Sequence, residues 1–110
     1  MGKKTLEVIT ESMFYILMAF TAGEMCGTDV TDWVAARTRG RLRIGPATLY
    51  TILGRFEAEK LIRETKVEGR KRTYCLTGKG LSIYQEELSR LETCLADAAA
   101  AEREADTHGA

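Results

Sequence analysis

The chain has 110 residues, 45% hydrophobic and 29% charged, with one proline, three cysteines and one histidine. That composition fits one globular domain, and with the lone His108 near the C-terminus no nucleophile–base pair can be assembled, so no enzyme is expected. Net charge is zero but segregated: residues 34–80 hold 12 Lys or Arg against 4 Asp or Glu, a net +8, and the remainder carries −8.

Residues 1–9 read as a flexible arm without a signal-peptide core. The apolar run 13–20 is far too short to span a bilayer, so a soluble, cytoplasmic protein with no membrane partner is expected. Thr10 is placed to cap a first helix, and Glu11 suits its positive end. That helix is apolar nearly all round, which predicts burial on more than one side. Either it is a core helix that also meets a second subunit through Phe14, Tyr15 and Met18, or it is the central helix of a monomer. Gly23 and Gly27 bracket a connection. A second helix is then predicted over 28–37, with Val30, Trp33 and Val34 inward and Asp29 and Asp32 near its N-terminal end.

Four arginines follow in seven positions: Arg37, Arg39, Arg41 and Arg43. Gly45-Pro46 opens a third helix, with proline at a first-turn position where its missing N–H costs nothing. Leu49, Ile52, Leu53 and Phe56 make its apolar stripe. Ala47, Thr51, Gly54 and Ala58, flanked by Thr48, Tyr50 and Arg55, make an outer face that is small and polar. Such a low face suits a helix lying against a DNA groove, or simply packing on a neighbour. Residues 61–67 and 70–76 flank Glu68-Gly69 and predict a β-hairpin. Its tip is basic through Lys66, Arg70, Lys71 and Arg72, and it must lean on the helices through Leu61, Tyr74 and Leu76.

Thr77 caps a last helix whose apolar positions, Leu81, Tyr84, Leu88, Leu91, Leu95 and Ala98, alternate by three and four. This seam predicts a helix–helix contact between subunits, the alternative being packing on the chain's own core. The helix is expected over 78–101, fraying from Ala96, with 102–110 a disordered tail. The cysteines are odd in number and widely spaced, which predicts buried or neutral thiols rather than disulfides. No metal-ligand spacing and no phosphate-binding glycine loop is present, so no cofactor is expected.

In order, then, the elements are helix, helix, basic loop, low-faced helix, basic hairpin and long seam helix. This predicts a mainly α fold with a small β-hairpin: a winged helix-turn-helix over 10–77 plus a long C-terminal dimerisation helix. In that motif the second helix of the pair meets base edges, here through Ala47, Thr48, Tyr50 and Thr51, with Arg55 on phosphate or guanine. Arg70, Lys71 and Arg72 would reach phosphates or the minor groove, and Arg37, Arg39, Arg41 and Arg43 are candidate backbone clamps.

The sequence resembles the PadR family of transcriptional regulators. The resemblance rests on Phe14-Tyr15-Ile16-Leu17, Gly27, Pro46-Ala47-Thr48-Leu49-Tyr50, Leu53, Arg55-Phe56-Glu57, Leu61-Ile62, Gly69-Arg70 and Tyr74-Cys75-Leu76-Thr77-Gly78-Lys79-Gly80. It implies a winged-helix homodimer built from the first and last helices, usually a repressor, on double-stranded DNA at a pseudo-palindromic operator. Some members bind small aromatic effectors between subunits through a tryptophan on the last helix. That helix has none here; Trp33 and Tyr15 are read as core, the alternative being that they line a pocket, and a small aromatic effector stays an open partner. The chain departs from the family at Cys26-Gly27-Thr28, where His-Gly-Tyr is common, at Thr51, where proline is common, and at Lys60, where glycine is common. Either a left-handed backbone at Lys60 carries a strain of about 1 kcal/mol, or the helix ends differently. The competing readings are a winged-helix module for protein or RNA, and a thiol-based redox-sensing regulator.

Overall fold

The computed structural model describes residues 8–107. The expected arm lies mostly outside them, as do His108 and the end of the expected tail. In chain order the elements are α1 (Glu11–Thr21), β1 (Met25–Cys26), α2 (Gly27–Arg37), α3 (Pro46–Ala58), β2 (Ile62–Glu68), β3 (Lys71–Leu76) and α4 (Gly78–Thr107). Four helices and a small antiparallel sheet make this a winged-helix fold.

Each helix starts at a residue whose local chemistry suits a first turn. The Thr10 hydroxyl accepts from the Met13 N–H at 3.2 Å. The Asp29 carboxylate accepts from the Cys26 N–H at 3.1 Å, and that bond holds its pKa below the usual carboxylate value. Pro46 occupies the first turn of α3 behind Gly45, and the Thr77 hydroxyl accepts from the Gly80 N–H at 3.0 Å.

The core gathers one face from each element: Ile16, Leu17 and Phe20 of α1, Val30 and Val34 of α2, and Leu49, Leu53 and Phe56 of α3. The predicted stripe of α3 is therefore its inner face, with Ile52 packed at the margin. Leu61 and Tyr74 are buried and Leu76 packs half-buried against the core, which seats the hairpin as expected; Ile62 is buried with them.

The connection bracketed by Gly23 and Gly27 contains β1, which pairs with β3 through Met25↔Tyr74 and Cys26↔Thr73. A two-residue strand has no periodicity of its own; it exists because β3 offers it an edge. The last helix also exceeds expectation, running to Thr107 rather than ending at 101. Its final turns are rich in Ala, with Glu102 and Glu104, strong helix formers that need no packing to stay helical. Of the cysteines, Cys26 is buried as read, Cys75 is half-buried and Cys94 is exposed.

Lys60 stands at φ +64°. Its N–H donates to the Glu57 carbonyl at 3.0 Å, and the Leu61 N–H donates to the Phe56 carbonyl at 2.8 Å. This pair of bonds closes α3 in a Schellman motif, whose left-handed position favours glycine. Lys60→Gly is therefore expected to raise stability by about 1 kcal/mol, read as a higher denaturant midpoint at unchanged slope. A midpoint that falls would show that the lysine side chain outweighs the backbone strain.

Candidate nucleic-acid interface

The outer face of α3 is open. Ala47, Thr48, Tyr50, Thr51, Gly54, Arg55 and Ala58 are all exposed, while Leu49, Leu53 and Phe56 beneath them are buried. Tyr50 is 59% exposed. Its ring nevertheless has a seat, because a Cβ on Gly27 would lie 2.9 Å from the Tyr50 hydroxyl and 3.2 Å from Leu49. Gly27 is thus the clearance that lets α2 and α3 close on each other and fixes where Tyr50 stands.

Beside this face rises the hairpin. Its register shifts between Glu64 and Lys66, and a bulge of this kind bends a strand and steepens its twist. The Thr65 hydroxyl at the bulge donates to Glu24 at 3.0 Å, tying the base of the hairpin to the α1–β1 connection. Between hairpin and α3 lies an open cleft of about 670 Å³, with Tyr50, Gly54 and Glu57 on one wall, Arg70 and Lys71 on the other, and Thr28 at one end. Tyr74 on its floor has a raised pKa, chiefly from burial and then from the neighbouring Glu57 charge.

The basic side chains divide into two groups. Lys66 pairs with Glu68 at 3.3 Å and Arg72 with Glu64 at 3.4 Å, both along the hairpin. Arg41 is held by Glu11, whose hydrogen bond and charge raise the guanidinium pKa. Arg37 lies over the Trp33 ring at 5.2 Å. Arg39, Arg43, Arg55, Arg70 and Lys71 make no ion pair among the described residues. The structure therefore brings Thr48, Tyr50, Thr51 and Arg55 onto one open surface flanked by unpaired cations. It commits Arg41 and Arg72 in part to internal contacts that sequence spacing could not reveal.

The residues expected at a subunit contact divide as well. Phe14 is 8% exposed and stacks on Tyr84 at 5.1 Å between ring centroids, so both rings pack within the chain. Tyr15 and Met18 are half-buried. Leu81, Leu88, Leu91 and Leu95 are exposed along α4. Trp33 and Tyr15 each carry an arginine over one ring face.

No helix among the described residues is long and apolar enough to cross a membrane. No cluster of three or more His, Cys, Asp or Glu among them could hold a metal.

The model of the Transcriptional regulator PadR-like family matches residues 16–86. An uncharacterized 37.1 kDa protein in transposon TN4556 of Streptomyces fradiae is 42% identical over 45 residues; the match covers 41% of this chain and 13% of that protein. A transcriptional regulator from Clostridium thermocellum shares the fold with a TM-score of 0.68 at 24% identity, covering 74% of this chain and 82% of that one. Bacillus subtilis PadR, solved in complex with operator DNA, superposes with a TM-score of 0.60 at 23% identity, covering 68% and 46%.

Proposed function

The chain belongs to the PadR-like family of transcriptional regulators, and we propose that it is a homodimeric repressor that binds a pseudo-palindromic operator in double-stranded DNA. In this reading residues 10–77 form the DNA-binding unit and the helix from 78 onward dimerises it. The N-terminal half of α3 enters the major groove, with Ala47, Thr48, Tyr50 and Thr51 at base edges and Arg55 on phosphate or guanine. Arg70, Lys71 and Arg72 extend from the hairpin tip to phosphates or the adjacent minor groove, while Arg39 and Arg43 meet the backbone. The observation that carries this reading is the open, low face of α3 set beside unpaired cations on both flanks.

Retardation of the protein's own upstream region in a gel tests it. With about six phosphates neutralised per dimer, affinity should fall with salt at a log–log slope of roughly −5. No retardation of any palindromic promoter fragment at low salt would overturn the reading. The roles of helix and hairpin separate by substitution. Arg70→Ala should weaken all duplexes alike and reduce the slope by about one per lost contact, while Thr48→Ala or Tyr50→Ala should change which sequences are preferred. Altered preference in Arg70→Ala together with an unaffected Tyr50→Ala would reverse the assignment.

A further inference from the structure

Arg41 lies in the most basic stretch of the chain, yet it is the one arginine there with an acidic partner. Its Nη1 donates to Glu11 at 2.9 Å, its Nη2 donates to the Tyr15 hydroxyl at 3.2 Å, and its guanidinium stands 5.7 Å over the Tyr15 ring. Both partners belong to α1, the first element of the fold. Arg41 therefore fastens the α2–α3 connection to a different helix.

That connection needs fastening. Its first half is well tied: the Thr38 hydroxyl donates to the Val34 carbonyl at 2.9 Å and accepts from the Leu42 N–H at 3.1 Å, and the Gly40 N–H donates to Ala35 at 2.8 Å. Two successive residues, Arg39 and Gly40, have positive φ, of 53° and 79°. From 42 to 45 the backbone has no regular structure, and it then delivers Pro46, Ala47 and Thr48 at the tip of α3. Ile44 anchors this stretch in the core from one side, and Arg41 grips α1 at its start.

We infer that Arg41 is a positioning residue: by holding Glu11 and Tyr15 it sets the path of residues 41–46, and so the angle at which the tip of α3 meets DNA. The inference rests on the DNA-binding reading above and goes beyond it, because it removes Arg41 from the phosphate contacts and gives an acidic residue a role in binding. The two roles predict opposite signs for one substitution. If Arg41 were a phosphate clamp, Glu11 would be its competitor, and Glu11→Gln would free it and tighten binding. If Arg41 is a brace, Glu11→Gln loosens the tip of α3 and weakens binding even though a negative charge has been removed.

The experiment measures the affinity of wild type, Glu11→Gln and Arg41→Ala for the upstream duplex and for a random-sequence duplex, across a salt series. Amide exchange over residues 41–45 is followed in the free proteins. Glu11→Gln is expected to bind the upstream duplex about two- to fivefold more weakly, the range of an exposed ion pair. Its salt slope and its affinity for the random duplex should stay unchanged, its Tm should fall by no more than the few degrees that the lost ion pair and helix-end charge are worth, and exchange over 41–45 should be faster. Arg41→Ala should behave in the same way. Tighter binding by Glu11→Gln, or a salt slope flattened by about one per protomer in Arg41→Ala, would overturn the brace. So would unchanged exchange over 41–45, a readout that does not depend on DNA. Failure of the wild-type protein to bind either duplex would instead strike the DNA-binding reading.

Discussion

Gly80→Ala will destabilise the protein by about 3 kcal/mol or more, seen as a fall of roughly 12 °C or more in Tm. Gly80 sits in the first turn of α4, buried against the α3–β2 junction. A Cβ there would drive into the Leu61 carbonyl oxygen, with the carbonyl carbon 3.0 Å and Leu76 Cδ1 2.8 Å away. Leu76 could rotate aside, but the Leu61 carbonyl cannot. It already accepts from the Thr77 N–H and the Thr77 hydroxyl, each at 3.0 Å. The whole of α4 would have to lift, breaking the joint through which it is attached. Gly78→Ala is the control, since a Cβ there meets nothing within 4 Å and its Tm should hardly move. A Gly80→Ala protein melting within 2 °C of wild type would mean that α4 can tilt freely on the domain.

On the proposed homodimer, Leu88→Glu will leave the protein monomeric at concentrations where the wild type would pair, raising the dissociation constant by about a hundredfold or more. Leu81, Leu88, Leu91 and Leu95 are 40%, 37%, 38% and 72% exposed, and an apolar row of this kind on one helix calls for a partner. At 30 residues α4 is about 45 Å long, too long for the small domain at its base to cover. Leu95 lies far along it and has little contact with its own chain, so Leu95→Glu separates loss of the dimer from loss of folding. Both variants should melt as folded proteins, and both should lose operator affinity, because a pseudo-palindrome needs two linked half-site readers. Light scattering that shows a wild-type mass for Leu88→Glu and Leu95→Glu together would refute the seam.

The helices and the hairpin were legible because their residues repeat. The three-and-four spacing of Leu49, Ile52, Leu53 and Phe56 is a statement about one face, and that face is buried. Thr10, Pro46 and Thr77 could be read as starts because their capping chemistry acts within three or four residues. Lys60 was legible as a strained position because the family pattern has glycine there, and its φ is positive. What escaped was non-local. The strand β1 is defined by β3, and Arg41's attachment to Glu11 and Tyr15 joins residues about thirty apart. Glu57 and Thr28 line the cleft only because α2, α3 and the hairpin converge. The end of α4 was misjudged for another reason. A lack of apolar residues argues against packing, but alanine and glutamate hold a helix without it.

The two-residue pairing of β1 with β3 has a consequence for how the domain assembles. Strand β1 precedes α2 and β3 follows α3, so their few hydrogen bonds close a ring of chain around the entire helix-turn-helix pair. Closing so large a ring is entropically only slightly worse than closing one half its size, but it cannot happen until the second half has been made. As the chain leaves the ribosome, α1, α2 and α3 emerge before the strand that fastens them. The clasp shuts only when Thr73 and Tyr74 arrive, and the helix that presents the leucine row comes after it. Assembly of one subunit thus runs ahead of the surface through which two subunits would meet.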